Sequence, residues 1–309
     1  MARAMVVAPP AQAPGFTSQR ARARRITDKL ATAVLWTAAS TVVALLLLFI
    51  GYLFVQGWSA ISWHFLTANP ESANAGGGIG PEIFNSFYVL ILTLLFTLPI
   101  AVLAGVYLQE YAGIGRFRDI VEFSAESLAT VPSIVMGLFG LIVFVSLFHW
   151  HFSAIGGALT LTLLNLPALM RVTQEALAGV PATYREASMG LGATKWQTVL
   201  RAILPSAIGP LTTGVVLVSG RIFGETAALI FTAGASVSYG ASAYDFNPFH
   251  TAETLAVHLY STQREALVPD ATQIANGSAL VLLVMVLVFN VTARVVGSQL
   301  TKRFTGKAS

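Results

Sequence analysis

The sequence predicts an all-α, polytopic membrane protein of about six transmembrane helices, and three observations carry that expectation. Of the 309 residues, 55% are hydrophobic and only 10% are charged, whereas a soluble domain carries roughly 25% charged residues. So few charges cannot solvate the surface of a water-soluble body of this size. Five apolar runs, at about 33–55, 86–109, 127–148, 207–231 and 278–297, reach the roughly 20 residues that a helix needs to cross a hydrocarbon core of about 30 Å. The basic residues, finally, fall on alternate connecting segments once a sixth span at about 154–176 is counted, as the bias of Lys and Arg toward cytoplasmic loops requires.

Taken in order, residues 1–27 are rich in Ala, Pro and Arg and lack apolar periodicity. They read as a disordered, basic cytoplasmic tail ahead of a transmembrane domain at 28–309. The first apolar run is too long and begins too late for a cleaved signal peptide, so it reads as a retained anchor. The sixth span is the weakest, because it contains Asn165, Pro167 and Arg171. Pro99, Pro132 and Pro167 fall inside spans and read as kinks, which membrane helices tolerate where neighbours re-satisfy the freed backbone groups.

With the basic N-terminus inside, the cytoplasmic segments are 1–32, 110–126, 177–206 and 298–309, while the opposite loops hold Arg264 as their one basic residue. This orients a multi-pass membrane chain with both termini cytoplasmic. Outer loop 56–85 is aromatic (Trp58, Trp63, Phe65) and then glycine-rich, and outer loop 232–277 contains a short helix around Thr254–Tyr260. The absence of cysteine excludes disulfides and thiolate chemistry.

The cytoplasmic loop 180–205 reads as two short helices about a glycine break. Pro181 suits a helix start, and Gly190 and Gly192 allow a tight turn. Trp196, Val199, Leu200 and Ile203 share one helical face, and Pro205 ends the segment. An apolar face of this kind needs a cover, either a partner groove or the lipid surface. Glu186-Ala-Ser, then Gly192, then Leu204-Pro205 resembles the EAA loop of bacterial ABC importer permeases, whose pattern is E-A-A-x3-G-x9-I-x-L-P. Ser188 stands for the second Ala, and Ile203 lies one place late, with Ala202 in its position.

The resemblance implies a type I ABC importer permease fold in which this loop is a coupling helix seated in a cleft of an ATP-binding subunit. Glu186, Ala187, Gly192, Leu204 and Pro205 would form the docking element. Gly190–Lys195 lacks the G-x-x-x-x-G-K-[ST] spacing and the preceding strand of a phosphate loop. The chain is therefore expected to be a transport subunit rather than an enzyme, with no cofactor of its own and ATP bound by its partners.

Arg221 and Glu225 lie four apart inside the predicted span at about 207–231, near its middle. A charge at the bilayer centre costs at least about 2.5–3.5 kcal/mol, so such residues face a cavity or a partner. Gly220, Gly224, Ala227 and Ala228 thin the helix around them. Two readings stay open. The pair can neutralise itself, or Arg221 can donate paired hydrogen bonds to an oxyanion while Glu225 accepts a hydrogen bond from the protonated oxygen that phosphate retains at neutral pH and sulfate lacks. Ser219–Leu229 with Phe231-Thr-Ala-Gly234, and the later Pro248, Thr254-Leu255 and Tyr260, resemble the phosphate-specific branch of the permease family, the PstA type. That branch implies a homologous second permease, two ATP-binding subunits, a periplasmic phosphate-binding protein, and inorganic phosphate as solute.

Arg171 and Glu175 form a second i,i+4 pair near the inner end of the sixth span, and Arg171 is a further pathway candidate; Glu122 and Glu126 read as solvated acids at the cytoplasmic start of the 127–148 span. His64, His149, His151, His250 and His258 all fall on outer loops without a third ligand in sequence, and His149-x-His151 is a weak signal, so no metal site is expected. Rival readings are a permease for another oxyanion or small solute, an intramembrane enzyme and a passive channel. An enzyme needs a nucleophile and base at one depth, and Ser219 has no such partner. A channel has no use for a dock onto an ATPase.

Overall fold

The computed structural model describes residues 18–71, 75–113, 115–236, 243–265 and 268–305. Most of the expected N-terminal tail lies outside these residues, and where the description begins, at Ser18, the backbone is already helical. Among the described residues there are helices and connecting segments and no strands. Residues up to Tyr52 form one unit, the greater part of helix α1 (Ser18–Gly57), whose Leu45, Leu46, Leu47 and Phe49 are all exposed. The second unit begins at Leu53 and contains everything that follows.

In that unit, a short helix α2 (Trp63–Thr67) leads to α3 (Gly80–Val106), which continues as a wider π turn to Tyr111. Helix α4 (Arg116–Ala129) and α5 (Ser133–Gly140, continued as a π turn to Leu147) follow. Next come α6 (Ala154–Ala178), α7 (Ala182–Gly190) and α8 (Lys195–Thr198), which runs through a π turn at Val199–Ile203 into α9 (Leu204–Gly224). The chain closes with α10 (Ala227–Ile230), α11 (Leu255–Glu265) and α12 (Ala271–Thr305).

Five helices are long and apolar enough to cross a membrane, and a sixth is reached only if α4 and α5 count as one bent span. The kink expected at Pro132 within the 127–148 run is a sharp break between two helices. The axis turns by 101° at the break before Ser133. Pro132 is the physical reason. It has no N–H to donate and its ring excludes continued helix, and it takes an extended conformation from which its carbonyl caps α5 by accepting from Val135 N and Met136 N. Pro205 behaves in the opposite way. It was expected to end a helix, yet 195–224 is one continuous span, because the π turn before it, with Leu204 N donating to Val199 O, supplies the slack its ring needs.

The core is assembled by backbone approach at small residues. A Cβ on Gly105 of α3 would sit 2.6 Å from Thr173 Cβ of α6, and one on Gly214 of α9 would overlap the Val172 side chain of α6. Thr97 Oγ1 and Thr162 Oγ1 hydrogen-bond across the same α3–α6 seam at 3.1 Å. Between helices in lipid there is little hydrophobic gain from association, so such close packing supplies much of the adhesion. Long side chains fill the remaining space, with Leu90, Leu161, Leu169, Leu229 and Leu255 almost fully enclosed. Gly105→Ala and Gly214→Ala are each expected to cost about 1–3 kcal/mol through overpacking. Gly51→Ala, where no atom lies within 4 Å, should leave stability unchanged or slightly raised. Thermal unfolding of the purified chain in detergent checks this, and equal midpoints for all three would contradict it.

Candidate functional site

The hairpin expected to act as a coupling element is α7, a turn and α8. Gly192 sits at φ +85, a left-handed conformation that a side chain would strain. Thr194 then caps α8 reciprocally with Gln197: the Thr194 hydroxyl accepts from Gln197 N at 3.3 Å, and Gln197 Oε1 accepts from Thr194 N at 2.9 Å. Ser188, the departure from a second alanine, has its hydroxyl 2.9 Å from that of Thr198, which cross-links the two arms. Glu186, Ala187 and Gly192 are exposed, Leu191 is 90% exposed at the tip, and Leu204 and Pro205 are half-buried where α9 begins.

The apolar face expected to need an outside cover is divided. Val199 and Ile203 are buried against Val106, Ala176, Leu177 and Val180 of this chain, which leaves Trp196 and Leu200 outside. The hairpin is anchored by Arg185, which sequence spacing marked only as a cytoplasmic charge. Its Nη2 donates to Glu110 Oε1 at 2.6 Å and to Leu177 O at 2.9 Å, and its Nη1 donates to Val180 O at 2.8 Å. Glu110 is only 7% exposed. One guanidinium thus joins the end of α3, the last carbonyls of α6 and the first turn of the coupling hairpin.

Arg171 does not pair with Glu175. It lies 2.5 Å from Glu126 of α4, while Glu122 accepts from Arg118 at 2.8 Å and from Gln174 at 3.3 Å. Glu122 and Glu126 lie in the middle and last turns of α4 rather than at a helix start, partly exposed and partnered by α6. These groups line a cleft of about 320 Å³ between α4 and α6, with Gln109 and Glu175. A neighbouring cleft of about 670 Å³ lies between α6, α7 and α9, lined by Glu175, Tyr184, Ser206 and Thr213.

Arg221 lines neither cleft. Helix α9 stops at Gly224 and Glu225 is extended, with φ −73 and ψ 122, so the residue expected near mid-span lies in the last turn. There the unpaired carbonyls at the helix end favour a cation. The expected Arg221–Glu225 ion pair is not formed among the described residues. Glu225 instead accepts from Ala228 N at 3.3 Å and caps α10. Arg221 is exposed and has no hydrogen-bond or ion-pair partner among the described residues. Gly224 beside it has nothing within 4 Å of a built Cβ. Behind it, Phe223 packs edge-on between Phe87 of α3 and Phe289 of α12, with ring centroids 5.3 Å apart in each pair. Asn290, which the sequence reading did not single out, has a buried Oδ1 without a partner that faces Gly220.

His258 corrects a further expectation. The short helix anticipated around Thr254–Tyr260 is α11, and it brings His258 to Glu82 of α3 and Glu253, all three buried. Burial pushes the imidazole down, but the Glu253 and Glu82 carboxylates outweigh it, so His258 titrates above its ordinary value. Sequence spacing could not find this group, because Glu82 and His258 are joined only by the fold. His149 and His151, the pair that did stand out, are exposed.

The architecture is that of a membrane-embedded transport subunit: packed spans, a helical hairpin presented at one end, and a lone cation at the far end of the helix which that hairpin feeds. Residues 97–306 match the family model of the binding-protein-dependent transport system inner membrane component, and the chain belongs to this family, the permease subunits of ABC importers. It is 43% identical over 291 residues to the probable ABC transporter permease protein YqgI of Bacillus subtilis, covering 91% of this chain and 99% of that one. It is 39% identical to the phosphate transport system permease protein PstA of Haemophilus influenzae over 59% of this chain and 64% of that protein. Identity to PstA 1 of Mycobacterium tuberculosis is 29%, over 91% of each. Among solved structures, a bacterial alginate ABC transporter superposes with a TM-score of 0.63 at 18% identity, covering 94% of this chain and 99% of that one. The MetNI methionine ABC transporter gives 0.54 at 17% identity, covering 72% and 94%. At those identities the likeness concerns the fold.

Removing one partner of a buried ion pair leaves the other uncompensated. Glu110→Gln and Arg185→Gln are each expected to lower stability by about 2–4 kcal/mol. The double variant should lose far less than the sum, because the two act as one unit. A double-mutant cycle on unfolding midpoints tests this, and strict additivity would show that the contact is not coupled.

Proposed function

We propose that this chain is a permease subunit of an ATP-driven phosphate importer, moving inorganic phosphate inward by alternating access. The observation that carries the proposal is Arg221: a guanidinium without a partner among the described residues, at the end of the helix that begins in the hairpin. From Pro205 to Arg221 the helix rises roughly 24 Å at 1.5 Å per residue, so movement at the hairpin is delivered to the cation by one rigid element. The phosphate permeases among the relatives support the choice of solute, and the fork of donors on Arg suits a tetrahedral oxyanion.

In this reading a homologous second permease packs on the Arg221 face and completes the site. One of two ATP-binding subunits takes Glu186, Ala187, Leu191 and Gly192 into its cleft, with Leu204 and Pro205 passing the motion into α9. An external phosphate-binding protein delivers the solute. Both termini are cytoplasmic, as the basic loops favour. Arg171 lies in the inner cleft with acidic partners, and it serves there as a gate or relay on the exit side rather than as the anion's main ligand. The chain holds no ATP site of its own, and hydrolysis occurs on the partners.

Reconstituted with partner permease, ATPase and binding protein in proteoliposomes, the wild type should show ATP-dependent phosphate uptake. Arg221→Ala, still assembled, should lose at least about 10- to 100-fold of it, the worth of one or two hydrogen bonds to a charged group. Normal uptake by that variant would make Arg221 a structural charge, and no uptake by the wild type would sink the phosphate assignment. Glu225→Gln separates two roles. If the carboxylate accepts the phosphate proton, discrimination between phosphate and sulfate should fall about tenfold. If Glu225 only caps α10, the ratio should hold while stability drops by about 1 kcal/mol.

A further inference from the structure

We propose that Glu82, Glu253 and His258 form a binding site for one divalent transition-metal ion of the zinc class, which clamps the first turn of α3 to the segment carrying α11. The three donors are one imidazole nitrogen and two carboxylates, and one ligand atom from each lies within 4.8 Å of the others. His258 Nδ1 is 3.6 Å from Glu82 Oε1 and 3.5 Å from Glu253 Oε1. Those separations exceed an ordinary hydrogen bond. They match the edge of a tetrahedron with bonds of about 2.0–2.1 Å, which is about 3.4 Å.

Independent observations point the same way. Glu82 is fully buried, and neither of its carboxylate oxygens has a hydrogen-bond partner among the described residues. Such an oxygen is costly to bury unless it binds something. The far nitrogen of the same imidazole, Nε2, lies 3.3 Å from Thr262 Oγ1. This is the outer contact that orients a metal-ligating histidine and leaves its other nitrogen free to bind. The backbone is held ready. Asn85 Nδ2 donates to Glu253 O at 3.1 Å, and Leu255 N donates to Ser86 Oγ at 2.9 Å. A neutral imidazole and two carboxylates sum to −2, which one divalent ion cancels. Calcium is disfavoured because it takes six to eight oxygens, whereas imidazole with carboxylate suits zinc, cobalt or manganese.

The test uses the full chain, purified in detergent without a polyhistidine tag, stripped with a chelator and titrated with Zn2+ and Co2+. One ion per chain is expected, with a visible tetrahedral Co2+ spectrum and an upward shift of the unfolding midpoint with Zn2+. Glu82→Gln and His258→Gln should abolish both signals. Thr262→Val, which keeps all three ligands, should weaken Zn2+ about tenfold. A folded wild type that binds neither metal overturns the proposal. So does undiminished stoichiometry in the ligand variants, or an unchanged affinity in Thr262→Val should the ligand variants fail to fold.

Discussion

Arg185 holds together the parts of the molecule that must move together. A helical hairpin can transmit force only if its base is fixed to the spans, and polar groups at that depth need internal partners. The guanidinium meets both needs: it satisfies the terminal carbonyls Leu177 O and Val180 O, and it neutralises the nearly buried Glu110. Burying Val199 and Ile203 beneath it turns what would be a loose amphipathic segment into the root of α9. The exposed remainder, Leu191, Met189 and Trp196, is then free to be contact surface without being structural support.

From that root the arrangement is governed by where the backbone is allowed to break. In hydrocarbon an unsatisfied N–H or C=O costs several kcal/mol, so irregular backbone survives only where it is enclosed by protein or faces a cavity. The turn after Gly224 meets this condition. Ala228 packs directly on Gly137 of α5, Ala233 and Leu229 pack on Gly157 of α6, and Thr232 O accepts from Ser153 N at 2.9 Å. Small residues on α5 and α6 are therefore what allow a broken helix here, and the break in turn sends Glu225 away from Arg221.

Hydropathy, charge and local motif made the membrane spans, the helical hairpin around Gly192 and the family legible, because these are local properties of the chain. What stayed hidden depends on breaks and on long-range contact. An i,i+4 relation between Arg221 and Glu225 holds only within a continuous helix, and Gly224 followed by an extended Glu225 removes it. The run at 127–148 satisfies a length criterion that says nothing of a 101° bend. Arg171 chose Glu126 over its helical neighbour because α4 folds back beside α6. The Glu82–His258 and Glu110–Arg185 pairs join residues on different helices, and no spacing rule connects them.

The uncompensated charge on Arg221 is the consequence that bears most on function. An i,i+4 glutamate would have made α9 electrically complete and a comfortable single-chain span. With Glu225 committed to capping α10, the cost of a lone guanidinium is only partly offset by the helix-end carbonyls. Gly220 and Gly224 give no side-chain cover, and on the buried flank Asn290 Oδ1, unsatisfied among the described residues, faces Gly220. A surface with one excess cation and open space is complementary to an anion held against a second polar wall. Under the proposed function that wall belongs to the companion permease, and the excess charge on this chain favours both its packing there and the binding of an anion between the two.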